Sequence, residues 1–404
     1  MNRKTFLILI VLLVVLGAAG LLLRNSHQQE SNSGEQGSGQ KVLGDKFEVN
    51  DVARLAIKQG TSEVNLVKKD DLWRVKERNN YHASFDAIRE FLMKAKDLKV
   101  VQKEEIGASQ LPRLELASGP GTSGVVVDFK DKDDKSLKAL TLGKQHSRKP
   151  QRETQSQFGD EGMADGRYVM VSTDTKNALL VADPLSNVEA KPEQWLNKAF
   201  FKIEKPKSIV VEFQNSTNSW KLTRDSEAGE WKLADVKPGE QLDSGKVAGV
   251  SSPFASPSFN DVNVSSKPEE LGLDKPTVVT VNTFDDFTYA VKVGKKSGDD
   301  YPIALTVSAN LPKERTPAKD EKPEDKDKNE KAFKEKQKQL EDRLKQEKAF
   351  EGWTYLLPAW NVDPVLKDRK DLMVDKKDEK AKDSANSSDS SSAAALAPLA
   401  PEVK

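Results

Sequence analysis

The chain has 404 residues, and its 64 Lys+Arg balance its 64 Asp+Glu, so the formal net charge is zero. That balance gives no general electrostatic reason to bind nucleic acid or an acidic polymer. Hydrophobic residues are 36% and cysteine is absent, which excludes disulfides, thiolate nucleophiles and cysteine-ligated zinc and predicts that part of the chain does not pack.

Arg3 and Lys4 precede an apolar run over residues 6–23, FLILIVLLVVLGAAGLLL. A helix over this run would rise about 27 Å, close to the hydrocarbon thickness of a bilayer. Residues 1–24 are therefore expected to form a single-pass N-terminal transmembrane helix, with the N-terminus cytoplasmic. The body is then periplasmic or otherwise extracytoplasmic, held at the inner (cytoplasmic) membrane. A cleaved signal peptide is the competing reading, because Gly17-Ala18-Ala19 offers small residues at a cleavage site. Leu21, Leu22 and Leu23 carry the apolar run past it and favour the anchor. Residues 25–41, rich in Ser, Gly, Gln and Asn, read as a flexible tether whose ends lie about 20 Å apart.

Residues 42–204 read as a first α+β repeat. LAIKQG (55–60) and VNLVKKDDLWRV (64–75) alternate with period two and break at Gln-Gly and Asp-Asp, the pattern of an antiparallel meander. Phe85, Ile88, Phe91, Leu92, Ala95 and Leu98 then fall on one face of a helix over 84–98, with Ser84 as cap and Asp86 at its positive end. VVVDF (125–129) and LKALTLG (137–143) resume the sheet, and YVMVS (168–172) with ALLVAD (178–183) predict a closing hairpin. Residues 145–167 are an insertion.

Residues 205–370 repeat this order. SIVVEF (208–213), SWKLTRDSEAGEWKL (219–233), a weaker helix over 243–252, TVVTVNTF (277–284) and YAVKVGKK (289–296) stand in for the first set. Ile209, Trp231 and Gly294 follow Ile57, Trp73 and Gly143 at an offset of about 150 residues, which argues for an internal duplication. Tyr301 to Val307 is expected to pair with WTYLLPAW, which begins at Trp353. The charged insertion 313–348 between them reads as disordered in its first half. Its second half reads as a surface helix with a thin, coiled-coil-like stripe of Phe333, Leu340, Leu344 and Phe350. Its removal is expected to leave the unfolding of the body nearly unchanged. Residues 371–404 are a disordered low-complexity tail.

The strand pair ending in Trp73-Arg74-Val75, the helix opening at Ser84–Asp86, the LTLGK strand, the Tyr168 strand and the closing PEQWLNK at 192–198 together resemble a bacterial membrane-anchored family, the domain of unknown function DUF4340. The resemblance runs best over 42–201 and more loosely over 207–370. It departs at LPRLELA, which stands where LGLDKP (271–276) stands in the second repeat. The resemblance implies an exported α+β module, no activity, and the company of ABC-type transport or gliding-type envelope components.

The residues offer little chemistry. His27, His82 and His146 have no metal-ligand spacing. Gly143-Lys144 and Gly294-Lys295 end strands without a helix to hold a phosphate, and Gly239–Lys246 is one residue too long for a phosphate loop. Gly143 and Gly294 read as turn residues that permit a positive φ or a bulge. GTSG (121–124) is not a nucleophile elbow. Trp73 and Trp231, at equivalent strand positions, read as core. No catalytic, cofactor-binding or metal-binding residue is assigned, and no cofactor or nucleic acid is expected.

The expectation is a non-enzymatic envelope scaffold or accessory protein with envelope protein partners, associated with a transport or gliding-type system. The alternative is a ligand-binding module for glycan or peptide, marked by a solvent-accessible Trp73, Trp195 or Trp360. A hydrolase comes third, marked by a pocket that gathers carboxyls of raised pKa.

Overall fold

A computed structural model describes residues 38–147, 164–264, 266–317 and 321–375. The chain divides into two compact units, Met1–Lys198 and Ala199–Lys404.

In unit 1 the strands are β1 (Arg54–Gln59), β2 (Ser62–Lys69), β3 (Leu72–Val75), β4 (Tyr81–His82), β5 (Val100–Glu105), β6 (Val125–Lys130), β7 (Ser136–Ser147), β8 (Ala164–Val171) and β9 (Asn177–Val181). They form one antiparallel sheet in the order β4-β3-β2-β1-β6-β7-β8-β9-β5. Alternation drives it: β6 is buried at every second residue, Val125, Val127 and Phe129. Asp70 and Asp71 both take left-handed φ, as a two-residue turn between right-twisted strands requires. Helix α1 (Phe85–Asp97) starts where the Ser84 hydroxyl accepts from the Ala87 amide. It buries Ile88, Phe91, Leu92 and Ala95, with Phe91 stacked on Phe129 of β6 at 5.7 Å.

Unit 2 contains β10 (Pro206–Glu212), β11 (Trp220–Thr223), β12 (Lys232–Leu233), β13 (Asp261–Asn263), β14 (Thr277–Thr283), β15 (Phe287–Val293), β16 (Asp300–Ala309) and β17 (Thr354–Pro358). Its sheet order is β12-β11-β10-β14-β15-β16-β17-β13. With β4 set aside, the two orders correspond strand for strand, including the return of β5 and β13 to the far edge.

The α+β class expected from the sequence does not hold. The described chain is mostly two large antiparallel sheets, and four α-helices accompany them among the described residues. The helix expected over 243–252 is α2 (Ser244–Ala248), a single turn and a half that runs into Gly249 and Pro253. Its weight in the unit is too small to form a layer. The transmembrane helix expected over 6–23 lies outside the described residues, and among those described no helix is long and apolar enough to cross a membrane.

The Gly-Lys pairs have a packing cause. Lys144 N donates to Leu114 O and Lys295 N to Leu271 O, both at 2.8 Å. A Cβ on Gly143 or Gly294 would overlap those same carbonyls. Neither glycine has positive φ; each allows a turn to press against the chain, Gly294 directly after β15 and Gly143 inside β7, which does not end there as expected but shifts register between Leu142 and Gln145. The two turns are alike: Leu116 N donates to Leu111 O, and Leu273 N to Pro268 O. Glu115 (φ 55°) stands where Gly272 (φ 67°) stands, so the apparent departure at LPRLELA is the same turn built without its glycine.

Helix α3 (Pro323–Lys348) begins inside the half of the insertion read as disordered. Its far end is tied to the sheet: Glu347 is buried and accepts from the Tyr289 hydroxyl at 2.5 Å. Arg343 donates to Glu347, to Tyr289 and to the Lys202 carbonyl. Helix α4 (Ala359–Val362) follows β17.

Candidate functional site

In unit 1 a groove of about 390 Å³ opens between α1 and the segment that follows β9. One wall is a single helix flank, Ala87, Glu90, Phe91 and Lys94, at the spacing that puts residues side by side. The other is Leu185–Glu189 with Gln194 and Trp195. Leu185, whose φ of 45° turns the chain back, donates its amide to the Asp183 carboxylate at 2.8 Å. Trp195 is locked at both ends: Nε1 donates to Glu189 O at 3.0 Å, and its carbonyl accepts from Ser84 N at 2.7 Å. The closing PEQWLNK segment therefore holds the start of α1.

The floor is apolar, with Phe91, Leu185, Val188 and Trp195 all buried. The rim is charged and internally paired. Lys94 meets Glu90 at 2.9 Å and Asp183 at 3.7 Å; Glu189 meets Lys191 at 2.5 Å and accepts from Gln194 at 3.1 Å. The hydrogen bond to Glu90 raises the Lys94 pKa, and the hydrogen bond from Lys191 lowers that of Glu189. Both shifts favour the charged forms that these side chains already hold at neutral pH. Phe85 and Met93 are exposed on α1 outside the flank that lines the groove.

A second, more polar cleft of about 670 Å³ is lined by Glu104, Glu105, Arg113, Lys144, His146 and Tyr168 among others. His146 Nδ1 lies 2.6 Å from Asp165, a pair that forms across the β7–β8 ladder and that no sequence spacing announces.

The other residues singled out in the sequence scatter. His27 lies outside the described residues. His82 sits on β4 with its pKa lowered by burial and by Arg74. At Gly239–Lys246, the Asp243 carboxylate itself accepts from the amides of Gly245 and Lys246, which fills the place a phosphate would take. Among the described residues no group of three His, Cys, Asp or Glu is placed to hold a metal ion. Trp73 and Trp195 are buried. Trp231 is half-buried beneath the Arg224 guanidinium, 4.7 Å from its ring centre. Trp360 is 65% exposed.

The described chain is thus two antiparallel sheets, the first of which carries an apolar groove with a self-compensated charged rim. The family model described as Domain of unknown function (DUF4340) matches residues 73–276, just over half of the sequence, and the chain belongs to that family. The matched stretch opens on Trp73-Arg74-Val75 and closes on LGLDKP, so it takes in parts of both units and differs from the expected 42–201. No curated protein and no solved structure matches the chain significantly.

Proposed function

We propose that the chain is a non-enzymatic scaffold or accessory protein of the cell envelope, and that the groove of unit 1 seats an apolar side chain of a partner protein. The observation that carries this is the combination of an aromatic floor with a rim whose charges already satisfy one another. Such a site admits an apolar anchor without stranding a buried charge, the arrangement at the centre of protein interfaces. The basic residues and apolar run at the start of the sequence support export of the body. Association with a transport or gliding-type system rests on the family resemblance alone. The matching strand orders support a reading of the two units as copies of one plan.

The test is in-cell crosslinking of the full chain, with mass spectrometry of what is captured, beside an Ala87→Trp variant. Ala87 lines the groove and is half-buried, so a larger ring at this position is expected to occupy the groove. A recurring envelope protein captured by the wild type and lost with Ala87→Trp is the expected result. Equal capture by both would defeat the groove reading.

A further inference from the structure

The exposure of Trp360 is imposed by its backbone. Helix α4 is one turn long and directs Val362 inward, with Val365 beyond it; both are buried. A residue two positions before Val362 emerges on the opposite side of the turn. The turn is tied to other segments, with Ala359 N donating to Asp299 O at 2.8 Å and Asn361 Nδ2 to Ser258 O at 3.0 Å. A large flat apolar ring is thus held in water, against the ordinary preference of its type.

The polar group three residues on is fixed by its own partners. Asp363, at i+3, shares the side of α4 that carries Trp360. It accepts from the Tyr301 hydroxyl at 2.7 Å and pairs with Lys296 at 3.5 Å. The Lys296 ammonium lies 5.3 Å from the centre of the Tyr301 ring. Asp300, beside Tyr301, accepts from Asn260 at 2.8 Å. The Tyr301 pKa is pushed up to about 12 by burial and by the Asp363 acceptor, so its hydroxyl stays protonated.

We infer that this surface of unit 2 is a carbohydrate-binding platform, on which Trp360 stacks against the C–H face of a pyranose while Asp363, Tyr301 and Lys296 meet its hydroxyls. A pyranose with equatorial hydroxyls presents bare C–H on its faces and groups that both donate and accept around its rim. A flat indole beside pre-oriented carboxylate, hydroxyl and ammonium groups matches both parts. A protein hot spot would set the aromatic ring in an apolar, water-excluding surround. Here the flank is charged, and the other large apolar residue described as exposed in unit 2 is Val236. The ligand class that follows is a glycan of pyranoses with equatorial hydroxyls, for which β-1,4-linked oligosaccharides are suitable probes. This inference does not depend on the groove of unit 1.

The experiment is calorimetric titration of the full-length protein, in a detergent without a sugar headgroup, with chitotetraose and with cellotetraose. Wild type is expected to bind at least one of them saturably, Trp360→Ala to bind about tenfold or more weakly, and Trp360→Phe to retain part of the affinity. The thermal midpoint of Trp360→Ala should match wild type, which separates lost binding from lost folding. No saturable heat with either saccharide, or equal affinity in wild type and Trp360→Ala, would overturn the inference. Loss of a crosslinked protein on Trp360→Ala, without saccharide binding by wild type, would overturn it in favour of a protein contact.

Discussion

Glu115 carries a left-handed backbone that its side chain makes costly, while the equivalent turn in unit 2 places Gly272 there. Replacing Glu115 with glycine is expected to raise the stability of unit 1 by about 0.5–1 kcal/mol, read from denaturant midpoints at unchanged slope; a loss of stability would mean that the Glu115 side chain outweighs its backbone strain. A second residue-scale effect is acidic. Arg369 donates to both oxygens of Glu240, at 2.9 and 2.7 Å, and holds that carboxyl down to about 2. Because the folded value is depressed, the contribution is complete above the ordinary carboxylate range and disappears as pH falls from about 4.5 through about 2. Glu240→Gln should remove the part of the acid destabilisation that falls in this window, while an unchanged pH profile would show that the pair contributes nothing. The glycines themselves were legible as breaks in the strand pattern. Their cause was not, because the carbonyls of Leu114 and Leu271 approach from turns that no local spacing connects to Gly143 and Gly294.

At the scale of elements, α3 corrects a reading based on composition. The composition of 313–348 reads as disorder followed by a charged surface helix, yet the last turns of α3 carry the partners of a fully buried tyrosine. The Tyr289 pKa is raised strongly, first by burial and then by its hydrogen bond to Glu347. Glu347→Ala is expected to cost about 1–3 kcal/mol by leaving that hydroxyl without its carboxylate. Deletion of 313–348 should cost more, and a deletion that left unfolding unchanged would restore the free-helix reading. Elements with a clean period were readable: α1 from its apolar stripe, β6 and β15 from alternation. Strand β5 was not, since Val101 to Glu105 are all exposed and carry no alternating pattern. Its place is set by pairing with β9, about 75 residues away in sequence.

At the scale of the whole molecule, the repeated strand order gives two sheets of one topology, each described as its own unit. The groove belongs to the first. It was invisible in sequence because Phe91 and Trp195 come from segments that meet through the fold, with their rings 6.3 Å apart. PEQWLNK was visible as a motif, but its role in closing one wall of the groove follows from Trp195 bonding to Ser84. The most direct measurement is site-specific photo-crosslinking in cells from Ser186 on the groove rim, with Asp133 in the β6–β7 turn as the control position. The account predicts a discrete protein adduct from Ser186 that is absent from Asp133 and disappears when Ala87→Trp is added. Adducts of equal pattern from both positions, or an adduct that survives Ala87→Trp, would contradict it.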